Sequence, residues 1–485
     1  MLNIQVLYIT YYHTTIMAEF INRPASQLPS RTSSGYSPLI LCLVLLLLAA
    51  LAYIGYEKYI KQPMNVAPTE DTTDRLNDVI KVNPDLNGHD TSLADLGSRP
   101  DWSLLDVWQD TITRDDFLQL LTEVYTIDDT WKRYIEINSD HAIIRTDTRV
   151  DDATYRLNFA DTLSEISPQR NWSSAGDLIP GTREKPLAGL HIAIDPGHIG
   201  GDFAKIEERW FQIGDNKPLM EGNMTLATAK IIKQELTKLG ARVYLIRGIN
   251  QPVNSKRPDD YLKEATAKAK SLGQMDDISV KRIQNRFFYR TGEIRARARR
   301  VNLAFKPDLV LCLHYNAEAW SDPSNPTLID KNHYHVLLHG ALTSSEIGHD
   351  DERFEMLVKI LQRTHDEEKN LGMYFAQALR MTTKLPHYDY SPISARAKKI
   401  EGPANGVWAR NLLANRIYQC PVIFLEPYVM NNKEVHERFQ LGDYSGVKPI
   451  NGVDKKSIYR EYADAVLLAL KEYYLAHRVI YEPEE

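Results

Sequence analysis

The stretch Leu190-His-Ile-Ala-Ile-Asp-Pro-Gly-His-Ile-Gly-Gly201 decides the fold of this chain. Its first half, residues 190–195, is a short apolar run that is typical of a buried strand. The Pro and Gly residues that follow predict a tight turn, which projects His198 beyond the end of the strand. Residues 225–239 then have apolar side chains at helical spacing, and Gly240 is a favourable C-terminal cap. The stretch therefore begins a strand-loop-helix unit.

The same alternation of strand and helix continues towards the end of the chain. Apolar runs predict further strands at residues 241–246, 307–313 and 418–425. Helical spacing predicts helices at residues 294–305 and 456–477. This order indicates an α/β domain with a mixed, largely parallel sheet flanked by helices. In such sheets, functional groups gather at the carboxyl ends of the strands.

The pattern also suggests how the chain divides into domains. The α/β domain is predicted at residues 186–478, with insertions at about 248–290 and 320–410. Before it, residues 101–185 combine helical and alternating strand patterns, which predicts a small α+β module of unknown role. Residues 57–100 carry Pro, Asp, Asn, Thr and Gly with few large apolar side chains, as expected of a linker.

The N-terminal region predicts export from the cytoplasm. Residues 39–56 are eighteen residues without a charge, which is enough for an N-terminal transmembrane helix. An uncleaved anchor is favoured over a cleaved signal peptide, although Ala50-Leu51-Ala52 offers a small-residue cleavage site. Residues 1–38 form an N-terminal tail, and its first part, residues 1–16, is interpreted as an over-extended start before Met17.

Composition excludes few classes of protein. The chain is 43% apolar and 25% charged, which is ordinary for a globular protein. A net charge of -6 argues against a nucleic-acid partner, which would require a concentrated basic surface. Of three cysteines, Cys42 lies in the apolar N-terminal run, and Cys312 and Cys420 lie in strand-like stretches. The last two are predicted to be buried apolar side chains, with a disulfide between them as the alternative.

Four side chains suited to metal chemistry lie at the predicted ends of strands or at a helix start. His198, His314 and Glu426 each follow or end a strand, and Glu221 stands where a helix should begin. Two imidazoles and a carboxylate are the ligands that a catalytic zinc ion takes, with a fourth position for water. A further carboxylate nearby can accept a proton from that water.

Each of these residues also has a purely structural interpretation. A single histidine after a strand is commonly a hydrogen-bonded structural group, and a glutamate before a helix is favoured by the helix dipole. Three other acids between His198 and Glu221 compete for the carboxylate position. They are Glu207, Glu208 and Asp215. The combination in one α/β pattern, rather than any single residue, points to a metal site.

Over about residues 188–475, a series of motifs resembles the zinc-dependent N-acetylmuramoyl-L-alanine amidases, a family of bacterial cell-wall hydrolases. The motifs are Asp195-Pro-Gly-His198-Ile-Gly-Gly201, Glu221 five residues before Leu226, the set Arg297, Asn302, Ala304 and Asp308, then Cys312-Leu-His314-Tyr-Asn316, and Glu426 with Tyr428 and Asn431. Their order is the order of the family's motifs. The sequence departs from the family at Cys312, where Ser is usual, and at Pro427, where a small residue is expected.

The resemblance implies an activity and a metal. The enzyme would hydrolyse the amide bond between N-acetylmuramic acid and L-alanine in peptidoglycan, with Zn²⁺ held by His198, Glu221 and His314. Glu426 would act as general base and then as proton donor. The alternatives are a zinc peptidase that cuts within stem peptides, and a non-catalytic peptidoglycan-binding or regulatory protein.

The resemblance also implies supporting residues, partners and a location. Asp195, Asn316 and Arg297 are expected to orient the metal ligands or to contact substrate, although Asp195 is also an ordinary turn residue. The expected partners are peptidoglycan, the membrane through the N-terminal helix, and an activator protein, with no nucleic acid. The chain would be anchored in the cytoplasmic membrane of the cell envelope, with its catalytic domain outside the cytoplasm, in the periplasm.

Two further features have open interpretations. Residues 281–300 hold eight basic side chains against Glu293 alone, which indicates either a solvated helix face or a contact with anionic cell-wall groups. The segment 320–410 is interpreted as an insertion that could cover the cleft as a lid. Its histidines are predicted to lie mostly at the surface; they are His333, His335, His339, His349, His365 and His387.

Overall fold

A computed structural model gives the fold of this chain. It describes residues 90–162, 170–320, 322, 325–391 and 396–481. The predicted tail, the predicted transmembrane helix at residues 39–56 and most of the predicted linker lie outside the described residues. Among the helices that are described, none is both long enough and apolar enough to cross a membrane.

In the described part of the chain, a seven-stranded sheet forms the centre of the fold. The strands are β1 (Ile135–Ile137), β2 (His141–Arg145), β3 (Thr154–Asn158), β4 (His191–Pro196), β5 (Trp210–Phe211), β6 (Leu219–Met220), β7 (Arg242–Leu245), β8 (Leu309–Leu313), β9 (Tyr334–Leu338), β10 (Lys398–Lys399), β11 (Val407–Ala409), β12 (Val422–Pro427), β13 (Lys448–Ile450) and β14 (Val453–Lys455). The central sheet has the order β10-β11-β9-β12-β8-β4-β7. Strands β7, β4, β8 and β12 are parallel neighbours, whereas β9 pairs antiparallel with β12.

The described residues form eleven α-helices. They are α1 (Arg114–Leu120), α2 (Glu221–Lys238), α3 (Leu262–Ser271), α4 (Asp277–Arg286), α5 (Glu293–Arg299), α6 (Ser344–Ile347), α7 (Asp350–Leu361), α8 (Thr364–Thr383), α9 (Leu413–Ile417), α10 (Lys433–Gln440) and α11 (Ile458–His477). Helices α2, α8 and α11 bury apolar residues against one face, and α5 and α9 pack on the other. The predicted α/β sheet flanked by helices is confirmed, and the sheet is mixed.

The segment at residues 320–410 is part of the core. Strand β9 lies inside the sheet between β11 and β12, and all five of its residues are buried. Helix α8, from the same segment, buries eleven residues, and its apolar side chains belong to the main core. The interpretation of this segment as a surface lid is therefore wrong, because removing it would take away a central strand and a core helix.

The region before residue 185 contains its own small sheet. Strands β1, β2 and β3 form a three-stranded antiparallel sheet. Apolar side chains of this region belong to the same hydrophobic cluster as those of the central sheet. Trp108 and Phe117 are in this cluster together with Ile194 and Leu338. Backbone hydrogen bonds also join the two regions, from Leu342 N to the carbonyl of Tyr125. The position of a domain boundary near residue 185 stays a prediction.

The two described cysteines are buried inside strand and loop. Cys312 lies in β8 and Cys420 just before β12, and both are free thiols. Burial raises the pKa of both thiols above the ordinary value, to about 12 for Cys420. They therefore behave as small apolar side chains, as predicted, and the alternative of a disulfide between them is not realised.

Candidate metal centre

Parallel pairing of strands brings three distant side chains to one edge of the sheet. Strands β4 and β8 are neighbours, with Pro196 opposite Leu313. His198 follows the first strand and His314 the second, so both imidazoles emerge at the carboxyl edge. Helix α2 begins at Glu221, where the sequence predicted a helix start, which places that carboxylate in its first turn.

The three side chains meet closely. Nε2 of His198 lies 3.1 Å from Oε2 of Glu221, and Nδ1 of His314 lies 3.0 Å from Oε1 of Glu221. One donor atom from each residue lies within 4.8 Å of the other two. Tetrahedral zinc, with bonds of about 2.0–2.2 Å to N and O, places its ligands about 3.3–3.5 Å apart. The donor set and its spacing therefore fit such an ion, and the assignment of these residues as ligands stays a prediction.

The electrostatics of the cluster favour an ionised carboxylate. Burial favours the neutral form of Glu221, but the imidazoles of His198 and His314 outweigh it and hold the pKa of Glu221 well below its ordinary value. Burial likewise disfavours the charged form of His198, yet Glu221 and Glu207 raise the pKa of that imidazole. A divalent cation requires a deprotonated carboxylate ligand, which Glu221 can supply.

Close backbone approach shapes the loop that carries His198. A Cβ atom on Gly222 would lie 2.3 Å from the backbone N of Gly200, and one on Gly197 would lie 2.4 Å from the His314 ring. His198 itself has a φ of 59°, in the left-handed region that side chains rarely adopt. Arg297 stabilises this conformation, because its Nη2 donates to the carbonyl of His198 at 2.8 Å.

Arg297 and Asp195 support the loop from beneath. The Arg297 side chain is buried and donates to Oδ1 of Asp195 at 2.7 Å and to Oε1 of Glu293 at 2.8 Å. The other oxygen of Asp195 accepts from the hydroxyl of Tyr418 at 2.5 Å. Asp195 thus acts on the His198 loop through Arg297, and its expected part in orienting the metal ligands stays a prediction. Of the basic run at 281–300, Arg297 is thus a core residue and not part of a solvated face.

Asn316 lines the cleft that contains the three donor residues, and its expected supporting role stays a prediction. Its side-chain oxygen accepts from the backbone N–H of Ala317 at 2.8 Å, and its backbone pairs with the segment around Val429. These contacts hold the turn after His314. The side chain thus stabilises the loop conformation and is not hydrogen-bonded to an imidazole.

Glu207, which the sequence suggested only as a competing ligand, lies behind His198. Its buried carboxylate accepts from the backbone N–H groups of Ile199 and Gly200 at 2.8–3.0 Å, and lies 3.7 Å from Nδ1 of His198. Burial raises the pKa of Glu207, but His198 and the two N–H groups outweigh burial, so the pKa lies below its ordinary value. A carboxylate behind a ligating imidazole fixes its orientation and basicity. The other two competitors, Glu208 and Asp215, are exposed.

Glu426 lies in the same cleft as the three donor residues. It is the fifth residue of β12 and stands opposite His335 of β9 in the antiparallel register. Nε2 of His335 contacts Oε2 of Glu426. Burial raises the pKa of Glu426, but His335, and then His314, lower it below the ordinary value. The structure thus places a carboxylate in the same cleft as the three donor residues, and its role as a base stays a prediction.

The histidines of the segment 320–410 are mostly inside the protein. His333, His335, His339 and His365 are each at most 6% exposed, so the prediction that they lie at the surface is wrong. The cleft itself has a volume of about 410 Å³ and is open to solvent. Its wall includes Glu318 and two tryptophans, Trp210 and Trp320.

Comparison with known proteins adds little to this site. No model of a known protein family matches the chain, and no curated protein matches it. Among solved structures, the N-acetylmuramyl-L-alanine amidase Ami1 from Mycobacterium abscessus matches 59% of this chain and 99% of its own, at 18% identity and a TM-score of 0.32. The CwlD amidase from Clostridioides difficile, in complex with the GerS lipoprotein, matches 59% and 98%, at 11% identity and a TM-score of 0.34. The amidase AmiC2 of Nostoc punctiforme matches 60% and 97%, at 14% identity and a TM-score of 0.28. With TM-scores below 0.5, these similarities carry no argument about the activity of this chain.

Proposed function

We propose that this chain is a zinc-dependent N-acetylmuramoyl-L-alanine amidase of bacterial peptidoglycan. The observation that carries the proposal is the convergence of His198, Glu221 and His314, whose donor atoms lie within 4.8 Å of one another, with Glu426 in the same cleft. The choice of substrate rests on the sequence motifs that resemble that family. Two imidazoles, one carboxylate and a separate acid form the set of groups that metal-assisted hydrolysis requires.

The residues of the site have distinct parts in the proposed reaction. When bound, zinc would polarise the lactyl carbonyl and acidify a water molecule. Glu426 accepts a proton as the water oxygen bonds to the carbonyl carbon. Glu426 then returns the proton to the nitrogen of L-alanine as the carbon–nitrogen bond breaks. The products are a free carboxylate on the glycan and a stem peptide with a free amino terminus.

Digestion of purified sacculi by the full-length chain tests this proposal. The expected products are peptide-free glycan and stem peptides with N-terminal L-alanine, and a chelator should abolish their release. Glu426→Gln should lower the rate by about 100- to 10,000-fold, the usual contribution of a general base. Glu437→Gln, which alters an exposed acid on α10, is the charge-matched control and should leave the rate unchanged.

Other outcomes would support the competing functions. New amino termini inside the stem peptide would identify a zinc peptidase and contradict the amidase. Binding of sacculi without release of any product, in the presence of added zinc, would indicate a peptidoglycan-binding or regulatory protein. Full activity of the metal-free protein would contradict the metal-dependent chemistry in either enzyme.

We also propose that the chain acts in the cell envelope, anchored by residues 39–56 with its catalytic region in the periplasm. The support is the uncharged apolar run in the sequence. Fractionation of cells should find the chain in the cytoplasmic membrane, accessible to protease from the periplasmic side. An activator protein is a further proposed partner, and stimulation of sacculus digestion by envelope extract would support it.

A further inference from the structure

The acid in the cleft is held by a histidine from the neighbouring strand. Glu426 and His335 are paired across β12 and β9, and Nε2 of His335 contacts Oε2 of the carboxylate. The His335 side chain is 4% exposed and that of Glu426 is 20% exposed. The histidine is thus buried behind the acid, which faces the cleft.

We propose that His335 is a positioning residue for Glu426, and this inference rests on the proposed amidase function. The N–H of Nε2 donates to Oε2 and so fixes the rotation of the carboxyl group. The second oxygen, Oε1, is then free to take the proton of the attacking water. Without this donor the carboxyl group would rotate between several orientations, and fewer encounters would have the geometry needed for proton transfer.

Aromatic packing holds the His335 ring in place. Tyr388 meets it edge-on, with centroids 5.2 Å apart and planes at 84°, and Tyr390 stacks on it at 6.0 Å and 18°. Nη1 of Arg410 donates to the hydroxyl of Tyr390 at 3.2 Å. Within the described residues, Nδ1 of His335 has no hydrogen-bond partner, so this packing, rather than a second hydrogen bond, orients the ring. The segment 320–410 therefore contributes directly to the geometry of the base.

A second histidine–acid pair in the cleft, His333 with Glu318, differs from the pair of His335 and Glu426. Nε2 of His333 lies 3.1 Å from Oε1 of Glu318, and Nζ of Lys331 lies 2.6 Å from that same oxygen. Two donors hold Glu318, and one of them is a permanent cation, which makes its carboxylate a poor proton acceptor. Among the described contacts, Glu426 has a histidine partner and no lysine or arginine partner, so its carboxylate is not held by a permanent cation as that of Glu318 is.

The test compares two substitutions of His335 that differ in one property. His335→Gln keeps an N–H donor, whereas His335→Leu keeps apolar bulk without a donor. His387→Gln, which alters a partly exposed histidine of the same segment, is the matched control. The measurements are kcat and KM on a soluble muropeptide, zinc content and melting temperature, all with the full-length chain.

We expect His335→Leu to lower kcat by about 10- to 100-fold, the usual effect of removing a group that orients a catalytic residue. KM and zinc content should stay as in the unsubstituted chain, because the metal ligands are untouched. His335→Gln should recover most of the lost kcat, and His387→Gln should match the unsubstituted chain. In a Glu426→Gln background, His335→Leu should cause no further loss, because the two residues act as a unit.

Several outcomes would overturn this inference. An unchanged kcat in His335→Leu would do so, and so would equal losses of kcat in the Leu and Gln variants. If His335→Leu does not fold, the test rests on His335→Gln. A loss of zinc content or a raised KM in His335→Gln would show that His335 has a structural role and would contradict the inference. If the unsubstituted chain releases no stem peptide, the proposed function itself fails, which is distinct from an active chain that is indifferent to His335.

Discussion

Replacement of Arg297 by methionine should destabilise the protein strongly while leaving the shape of the side chain nearly unchanged. The guanidinium is 3% exposed and donates to four groups: the carboxylates of Asp195 and Glu293, and the carbonyls of Pro196 and His198. Methionine fills the space of the arginine stem but donates no hydrogen bond. Both carboxylates would then be buried without their cation.

The size of the loss follows from which partners remain. Asp195 keeps the hydroxyl of Tyr418, and Glu293 keeps the backbone N–H groups of Val253 and Asn254. Each acid therefore stays partly hydrogen-bonded, and the main cost is that of a broken buried ion pair. Such breaks lower the free energy of unfolding by about 3–5 kcal/mol.

Urea unfolding of the full-length chain at neutral pH, followed by tryptophan fluorescence, measures this loss. Arg299→Met, at an exposed position on the same helix, is the control and should change stability by no more than about 0.5 kcal/mol. The loss of stability in Arg297→Lys should lie between those of the other two variants, because an ammonium keeps the charge but cannot make all the hydrogen bonds of the planar guanidinium. A decrease in the free energy of unfolding below about 1 kcal/mol in Arg297→Met would refute the reasoning, since removing the partner of a buried charge costs more than that.

Three further predictions concern the loop and the core. Glu207→Gln should weaken zinc binding by about 10- to 100-fold because His198 loses its carboxylate partner; an unchanged affinity in chelator competition would contradict this. Gly222→Ala should destabilise the protein by about 1–3 kcal/mol and lower its zinc content, since the new Cβ would lie 2.3 Å from the Gly200 backbone. Full zinc occupancy with an unchanged melting temperature would contradict this prediction. Burial lowers the pKa of His365 from 6.5 to about 4, so the unfolded chain binds a proton that the folded chain does not. The contribution of His365 to the free energy of unfolding should therefore fall by about 3 kcal/mol as the pH drops from 6.5 to 4. His365→Leu should flatten this dependence in urea titrations at several pH values, and an identical slope would disprove the assignment.

Much of the α/β framework could be predicted from the sequence because its signals are local. Strands β4, β7 and β8 follow from short apolar runs, and α2 and α11 from apolar side chains at a helical period. The predicted start of β12 was wrong. The structure places it at Val422, four residues later, because α9 and a turn occupy the residues before it. Boundaries depend on capping and packing, which a periodic pattern does not contain.

The sequence alone suggested His198, Glu221, His314 and Glu426 as candidates, because each stands next to a recognisable strand end or helix start. Their convergence within one cleft required the parallel pairing of β4 with β8 and of β8 with β12, which joins segments far apart along the chain.

Only the tertiary structure decided the position of β9 and the partners of the acids. The run Tyr334–Leu338 carries His335 among its apolar residues, and its neighbours in sequence are also polar, so its pattern does not distinguish a surface segment from a central strand. His335 meets Glu426 across 91 positions, and Arg297 meets Asp195 across 102. Burial and pairing at such separations depend on the energy of the whole packed core, whereas residue periodicity reports only the few neighbours within one helical turn or one strand.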